Sequence, residues 1–331
     1  YGYLIDGLDP NLYQAAGAML RDHVGFSVSD TEFMQNDRSF HRGTLLIEKV
    51  NNDKSLDVRL QAVMKDSGVQ IIPVDSGWAG QIGLGSRHIQ FVRDPKIAVA
   101  GGDGVDATSL GMIWFTLDRE VKIPHTILPL KRLRSTDLSE YRVLVFPDGG
   151  GYGDAFEGSA LDKLKSWIRS GGTVVAVGEA AGFLRKKDVE LSQVKKWEPE
   201  KKDGETEVGE RYNDFSIPGA AFRTTMNTQS YLTFGVPSPP AVLLQGSSAL
   251  KPVSHTADNI LLVQKQDALV SGFAWPESLE RVKGSAYVVR EPVGDGVVIT
   301  FADEPNYRMF WRGTLPVFLN SVLYSPSFAG Q

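Results

Sequence analysis

Cysteine is absent from all 331 residues. That excludes disulfides, thiolate metal sites and a thiol nucleophile together, and it fits an exported bacterial protein and a cytosolic one equally. Histidine is scarce. His23, His41, His88, His125 and His255 lie far apart, none in an H-x-x-E or H-E-x-x-H setting, so the spacing offers no zinc site built from this chain alone. No apolar run approaches the roughly 18 residues that span a bilayer, and no signal-peptide core is visible. Positive charge is not in excess: 35 Lys and Arg stand against 40 Asp and Glu, a net charge of -5, which removes the electrostatic case for nucleic acid. G-x-S-x-G, Walker A and G-x-G-x-x-G sequences do not occur.

What is present is the material of a soluble globular chain, 42% hydrophobic and 23% charged. The length favours two domains. In the first, Tyr3-Leu4-Ile5 reads as a strand, Asp9-Pro10 opens a helix over about 10–22, and Thr44-Leu45-Leu46-Ile47 is a second strand. An amphipathic run from Leu56 ends at Gly68, and Val69 to Val74 begins another strand. Residues 75–94 are rich in Gly and Ser and read as a loop or linker. Pro95 marks the boundary, giving a small α/β domain with linker over 1–94 and a second domain over 95–331.

From Lys96 onward strands and helices alternate, which predicts a doubly wound, mainly parallel sheet. Ligands in such sheets bind beyond the carboxyl ends of the strands, where Asp103, Asp148 and Glu179 fall. Gly149 and Gly150 after Asp148 allow close approach of backbone to a ligand or to a neighbouring loop, and both readings stand. Gly178-Glu179-Ala180-Ala181-Gly182 follows the strand Thr173 to Val177 and reads either as an ordinary Gly-rich strand-to-helix turn or as the outline of a nucleophile elbow with Ala180 at its centre. A methyl group cannot attack a carbonyl, so the sequence offers the scaffold without the nucleophile. The charged stretch near 185–214 reads as a solvated insertion or a partner-binding arm, and the remainder as β-rich with a last helix around Leu315 to Leu323.

From about residue 96 the order of motifs resembles the class I glutamine amidotransferase-like fold. Val143-Leu144-Val145-Phe146-Pro147-Asp148-Gly149 is similar to its oxyanion strand and turn, and Gly178 to Gly182 falls where that family has G-x-C-x-G. Ala180 replaces the cysteine, and Asp303-Glu304-Pro305-Asn306 after the last strand holds no histidine. The whole chain also resembles the C-terminal region of large secreted bacterial zinc carboxypeptidases of the carboxypeptidase A type. That likeness rests on Tyr1 to Ile5, Gly43 to Ile47, Leu84-Gly85-Ser86, Pro147-Asp148-Gly149, Ile217-Pro218-Gly219-Ala220 and Phe310-Trp311-Arg312-Gly313-Thr314.

The resemblance implies a non-catalytic accessory region, secreted or periplasmic, whose upstream peptidase domain lies before Tyr1 and carries the zinc. No cofactor is expected in this chain. Its expected partners are that upstream domain and peptide or cell-wall material, with Asp148, Gly149, Gly150, Glu179 and Asp103 as ligand-binding candidates. Two alternatives stay open: a hydrolase or amidotransferase-like enzyme using Glu179 or Asp148, and a homo-oligomerisation module.

Overall fold

A computed structural model of the chain describes residues 1–79, 82–197, 216–246 and 248–328. The charged run from 198 to 214, the larger part of the expected insertion, lies outside them.

The first strands are short, with apolar residues that alternate between two covered faces. β1 (Gly2–Ile5), β2 (Ser27–Ser29), β3 (Leu45–Glu48), β4 (Ile72–Val74) and β5 (Ile89–Phe91) form one antiparallel sheet in the order β4-β1-β3-β2-β5. Ile5, Leu45 and Ile47 face helices α1 (Leu12–Arg21) and α2 (Leu56–Ser67), whereas Leu4, Leu46 and Val74 face a hairpin bearing Phe33 and Phe40. Burial on both faces explains why Leu45-Leu46-Ile47 reads as an unbroken apolar run. Gly68, at φ 72°, closes α2 as expected.

Two local expectations shift. Asp9 does not start α1: its carboxylate accepts the N–H groups of Asn11 at 2.8 Å and Gln70 at 3.0 Å, making a turn, and the helix begins at Leu12. The expected linker over 75–94 is not all loop. Ile89 to Phe91 pairs antiparallel with β2 and forms the sheet's edge, a strand of three residues that is too short to show a period among its Gly and Ser neighbours.

Beyond Pro95 come β6 (Ile97–Gly101), α3 (Ala107–Trp114), β7 (His125–Pro129), β8 (Val143–Phe146), α4 (Ser159–Arg169), β9 (Thr173–Val177) and α5 (Glu179–Leu184). β10 (Ala286–Val293), β11 (Gly296–Phe301) and α6 (Leu315–Leu323) end the series. The parallel strands run β7-β6-β8-β9-β11, the order 2-1-3-4-5 of a doubly wound sheet. Leu144, Phe146, Val174 and Ala176 pack with α4 and α5 on one face, and Val145, Val175 and Val177 share the other with α3 and α6.

The sheet is larger and more mixed than expected. Of its ten strands, half lie beyond the parallel set, where β10, Leu250–Lys251, Asn259–Val263, Thr224–Met226 and Lys195–Lys196 pair antiparallel. The reversal has a local cause: the Gly294-Asp295 turn, with Gly294 at φ 64°, folds β10 back on β11 as a hairpin. A separate three-stranded antiparallel sheet holds Ile217–Phe222, Val242–Gly246 and Leu269–Phe273.

The two units share a core. One buried cluster runs from Ile5, Met19 and Val28 to Ile97, Ile113 and Phe318. Tyr13 donates its hydroxyl to Asn320 Oδ1 at 2.8 Å, and Arg21 reaches the Lys122 carbonyl at 2.6 Å. Gly17 brings α1 so close that a Cβ there would sit 1.9 Å from the Val121 carbonyl oxygen. Gly17→Ala should therefore force the units apart and lower stability by about 1–3 kcal/mol, measured by denaturant unfolding. Gly83→Ala, with nothing within 4 Å of the new methyl, should stay within about 0.5 kcal/mol of the parent. Equal stabilities for the two variants would contradict the docking of α1.

Candidate functional site

Three neighbouring parallel strands, β8, β9 and β11, end side by side, and each delivers acid at its carboxyl end. After β8 comes Asp148, after β9 Glu179, and after β11 Asp303 and Glu304. These four line a crevice of about 90 Å³ together with Arg185 and Lys196. A carboxyl-edge crevice is where an open α/β sheet presents its ligands.

Asp148 organises the floor. Its Oδ1 accepts the N–H of Gly149 at 2.8 Å and the N–H of Glu179 at 2.8 Å, so one carboxylate joins the turn after β8 to the turn after β9. Its own N–H donates to Ser109 Oγ at 2.9 Å, and its carbonyl accepts the N–H of Asp106 at 2.8 Å. The two N–H groups that point toward this junction are thereby spent inside the protein.

The turn after β9 is a sharp strand-to-helix elbow, but its strained position is Gly178, not Ala180. Gly178 has φ 57° and ψ -124°, a conformation that costs an L residue heavily, and a Cβ there would lie 2.8 Å from Asp148 Cγ. Ala180 is the second residue of α5, fully buried in a cluster with Phe146, Tyr152 and Phe183, and it does not line the crevice. Ala181 is buried beside it, and Gly182 packs near the ends of Glu179 and Arg185. Glycines on either side suggest a centre midway between them. The backbone instead takes its strain at the first glycine, where the chain leaves the sheet.

The other candidates divide. Glu179 lines the crevice, largely exposed, with Oε1 3.1 Å from Lys196 Nζ. Gly149 and Gly150 do not line it. Gly149 is constrained by packing, since a Cβ there would lie 2.5 Å from the Gly104 carbonyl oxygen. Asp103 stands outside on the surface, hydrogen-bonded to Lys131 at 2.8 Å, which holds its carboxyl below the usual range.

Asp303 and Glu304 are the functional candidates that reading the sequence passed over. The available signal was two acids directly after an apolar strand, noted there only for the histidine they replace. Asp303 accepts the N–H groups of Glu304 at 2.8 Å and Gln245 at 2.7 Å. Desolvation, reinforced by Asp148, pushes its carboxyl up to about 6 despite those bonds. Burial pushes Glu304 up to about 8 against a side-chain hydrogen bond with Ser109 that lowers it, with Asp303, Asp148 and Asp106 adding repulsion. Glu304 Oε2 is buried with no hydrogen-bond partner.

No histidine lines the crevice. His41, His88 and His255 each place Nδ1 within 3.0 Å of a carboxylate, on Asp6, Asp30 and Asp258. Among the described residues no group of three His, Asp or Glu side chains could hold a metal ion, and no helix is long and apolar enough to cross a membrane.

No protein-family model matches the chain, and no curated protein does. Some solved structures are similar to it. A putative ThuA-like protein from Parabacteroides merdae aligns over 71% of this chain and 89% of its own, at 10% identity and a TM-score of 0.43. Another from Bacteroides uniformis aligns over 69% and 89%, at 11% identity and 0.40. A β-galactosidase from Bacillus circulans aligns over 84% of this chain but 37% of its own, at 13% identity and 0.39.

The elevated acids make stability depend on pH. A carboxyl whose folded value lies above its unfolded one binds more protons in the folded state, so stability is greatest below the unfolded value and falls as pH rises through the folded one. Thermal midpoints should therefore drop from about pH 4.5 toward 8 as Asp303 and then Glu304 ionise. Glu304→Gln, neutral throughout, should flatten that slope, and an unchanged slope would contradict the assignment. The elbow has its own test: Gly178→Ala should cost at least about 2 kcal/mol, whereas Gly182→Ala, which meets only side-chain ends at 3.3 Å, should change stability little.

Proposed function

We propose that this chain is a non-catalytic, ligand-binding accessory region with a class I glutamine amidotransferase-like fold, belonging to an exported zinc metallocarboxypeptidase whose peptidase domain lies upstream. The carboxypeptidase part rests on the sequence resemblance. The non-catalytic part is supported by one observation above all: the Asp148 carboxylate takes up both backbone donors, Gly149 N–H and Glu179 N–H, that an acyl-transfer site would turn toward its oxyanion.

Two further features agree with it. The strained elbow position carries no side chain, and no imidazole stands at the crevice to activate a nucleophile. The crevice retains polar groups facing a small space, which suits recognition of a peptide or cell-wall fragment.

A second reading draws on the acids themselves. Carboxyls raised by burial and like charge are how folds obtain general acids near neutral pH, and Asp303 and Glu304 fit that description. On this reading the chain is a hydrolase working through carboxyl groups.

Turnover separates the two. The purified chain should hydrolyse neither glutamine nor simple esters, and Ala180→Cys should remain inactive because position 180 is sealed in the core. Turnover lost on Glu304→Gln would favour the hydrolase. The parent polypeptide should bind zinc and release C-terminal amino acids from peptides, while this chain does neither, and one tightly held zinc per chain would refute the accessory role.

A further inference from the structure

The crevice holds more acid than base. Four carboxyl groups, Asp148, Glu179, Asp303 and Glu304, stand against two cations, Arg185 and Lys196. Glu179 and Lys196 pair at the rim. Deeper in, Asp303 and Asp148 both raise the proton affinity of Glu304, and a side-chain hydrogen bond with Ser109 lowers it without cancelling them.

Glu304 carries the second, independent sign. It is 9% exposed and lines the crevice, yet its Oε2 has no hydrogen-bond partner. Buried oxygens in that condition are rare in folded proteins, and a donor brought by a ligand satisfies one. Among the described residues no group of three His, Asp or Glu side chains could hold a metal ion, so the donor is sought in an organic group. A space of about 90 Å³ admits a group of a few heavy atoms rather than a whole sugar. A positively charged donor with three N–H bonds meets all these conditions.

Building on the ligand-binding reading above, we propose that the crevice takes an aliphatic primary ammonium group, such as the side-chain end of a lysine or another diamino acid in a peptide, with Glu304 and Asp303 as its acceptors. Binding then requires Glu304 to ionise. The charged and titratable groups around it are Asp303 and Asp148 on the strand ends, Asp106 at the start of α3, Tyr152 and Tyr287 behind it, and the Arg185 and Lys196 side chains across the crevice. Ammonium binding pulls the Glu304 proton off, so affinity climbs with pH until Glu304 is ionised near about 8 and falls once the amine loses its charge near about 10.

The test titrates the 331-residue chain with propylamine and with 1-propanol at pH 6, 7 and 8.5, by calorimetry and by amide chemical shifts. Propylammonium should bind and propanol should not, and affinity should rise up to about tenfold per pH unit between 6 and 8. Calorimetry at pH 7 in buffers of different ionisation enthalpy should register proton release. Glu304→Gln should weaken binding at pH 8.5 at least tenfold and remove its pH dependence above pH 7; if that variant does not fold, the parent's pH profile and proton release decide. Equal binding of the two probes, no binding of propylammonium at pH 8.5, or a flat pH profile would overturn the inference. A ligand without an ammonium group that moves the Asp148, Glu179 and Glu304 amides would overturn it while leaving the ligand-binding reading intact, whereas a peptide and glycan panel that moves none of them would remove both.

Discussion

A single carboxylate ties the catalytic-looking edge of this sheet together. Asp148 accepts the N–H groups of Gly149 and Glu179 through one oxygen, while its own backbone engages Ser109 and Asp106 at the start of α3. Hydrogen bonds to a charged group are worth about 1.5–3 kcal/mol each, which ties the ends of β8 and β9, and two bonds between neutral groups add the first turn of α3. The arrangement demands a glycine at 178, because any side chain there would enter the space of the Asp148 carboxyl. One contact thus shapes the elbow and uses the donors that would make the elbow catalytic.

The crowded acids follow from the same geometry. Parallel pairing of β8, β9 and β11 aligns their carboxyl ends, and each end carries an acid. The Gln245 N–H, from the three-stranded sheet, anchors Asp303 from the side, and Ser248 and Leu250 help wall the crevice. Removing carboxyl groups from water beside one another favours their protonated forms. That accounts for the upward displacement of Asp303 and Glu304 without any special bond.

Reading along the chain captured the elements whose apolar pattern is long or sharply bounded. β6, β8 and β9 are buried on both faces and read as continuous runs, and α4 sits between the Gly158 and Gly171-Gly172 turns. Elements dependent on distant pairing were harder to see. Ile89 to Phe91 is a strand because β2 lies beside it, and the antiparallel half of the large sheet consists mostly of strands with two to five residues. The elbow was visible as a pattern, but its register depended on backbone angles that glycine spacing does not encode. Asp303 and Glu304 became interesting only when the sheet order brought β11 next to β9, a long-range pairing with no local sign.

Asp148 occupies the two backbone donors at the junction of the turns. Amide hydrogen exchange and proton chemical shifts of Gly149 and Glu179 measure this directly, in the parent chain and in Asp148→Ala. Both amide protons should be shifted downfield and protected in the parent, and both should lose protection together in the variant. Two amides that exchange freely in the parent, or that ignore the loss of the carboxylate, would contradict it.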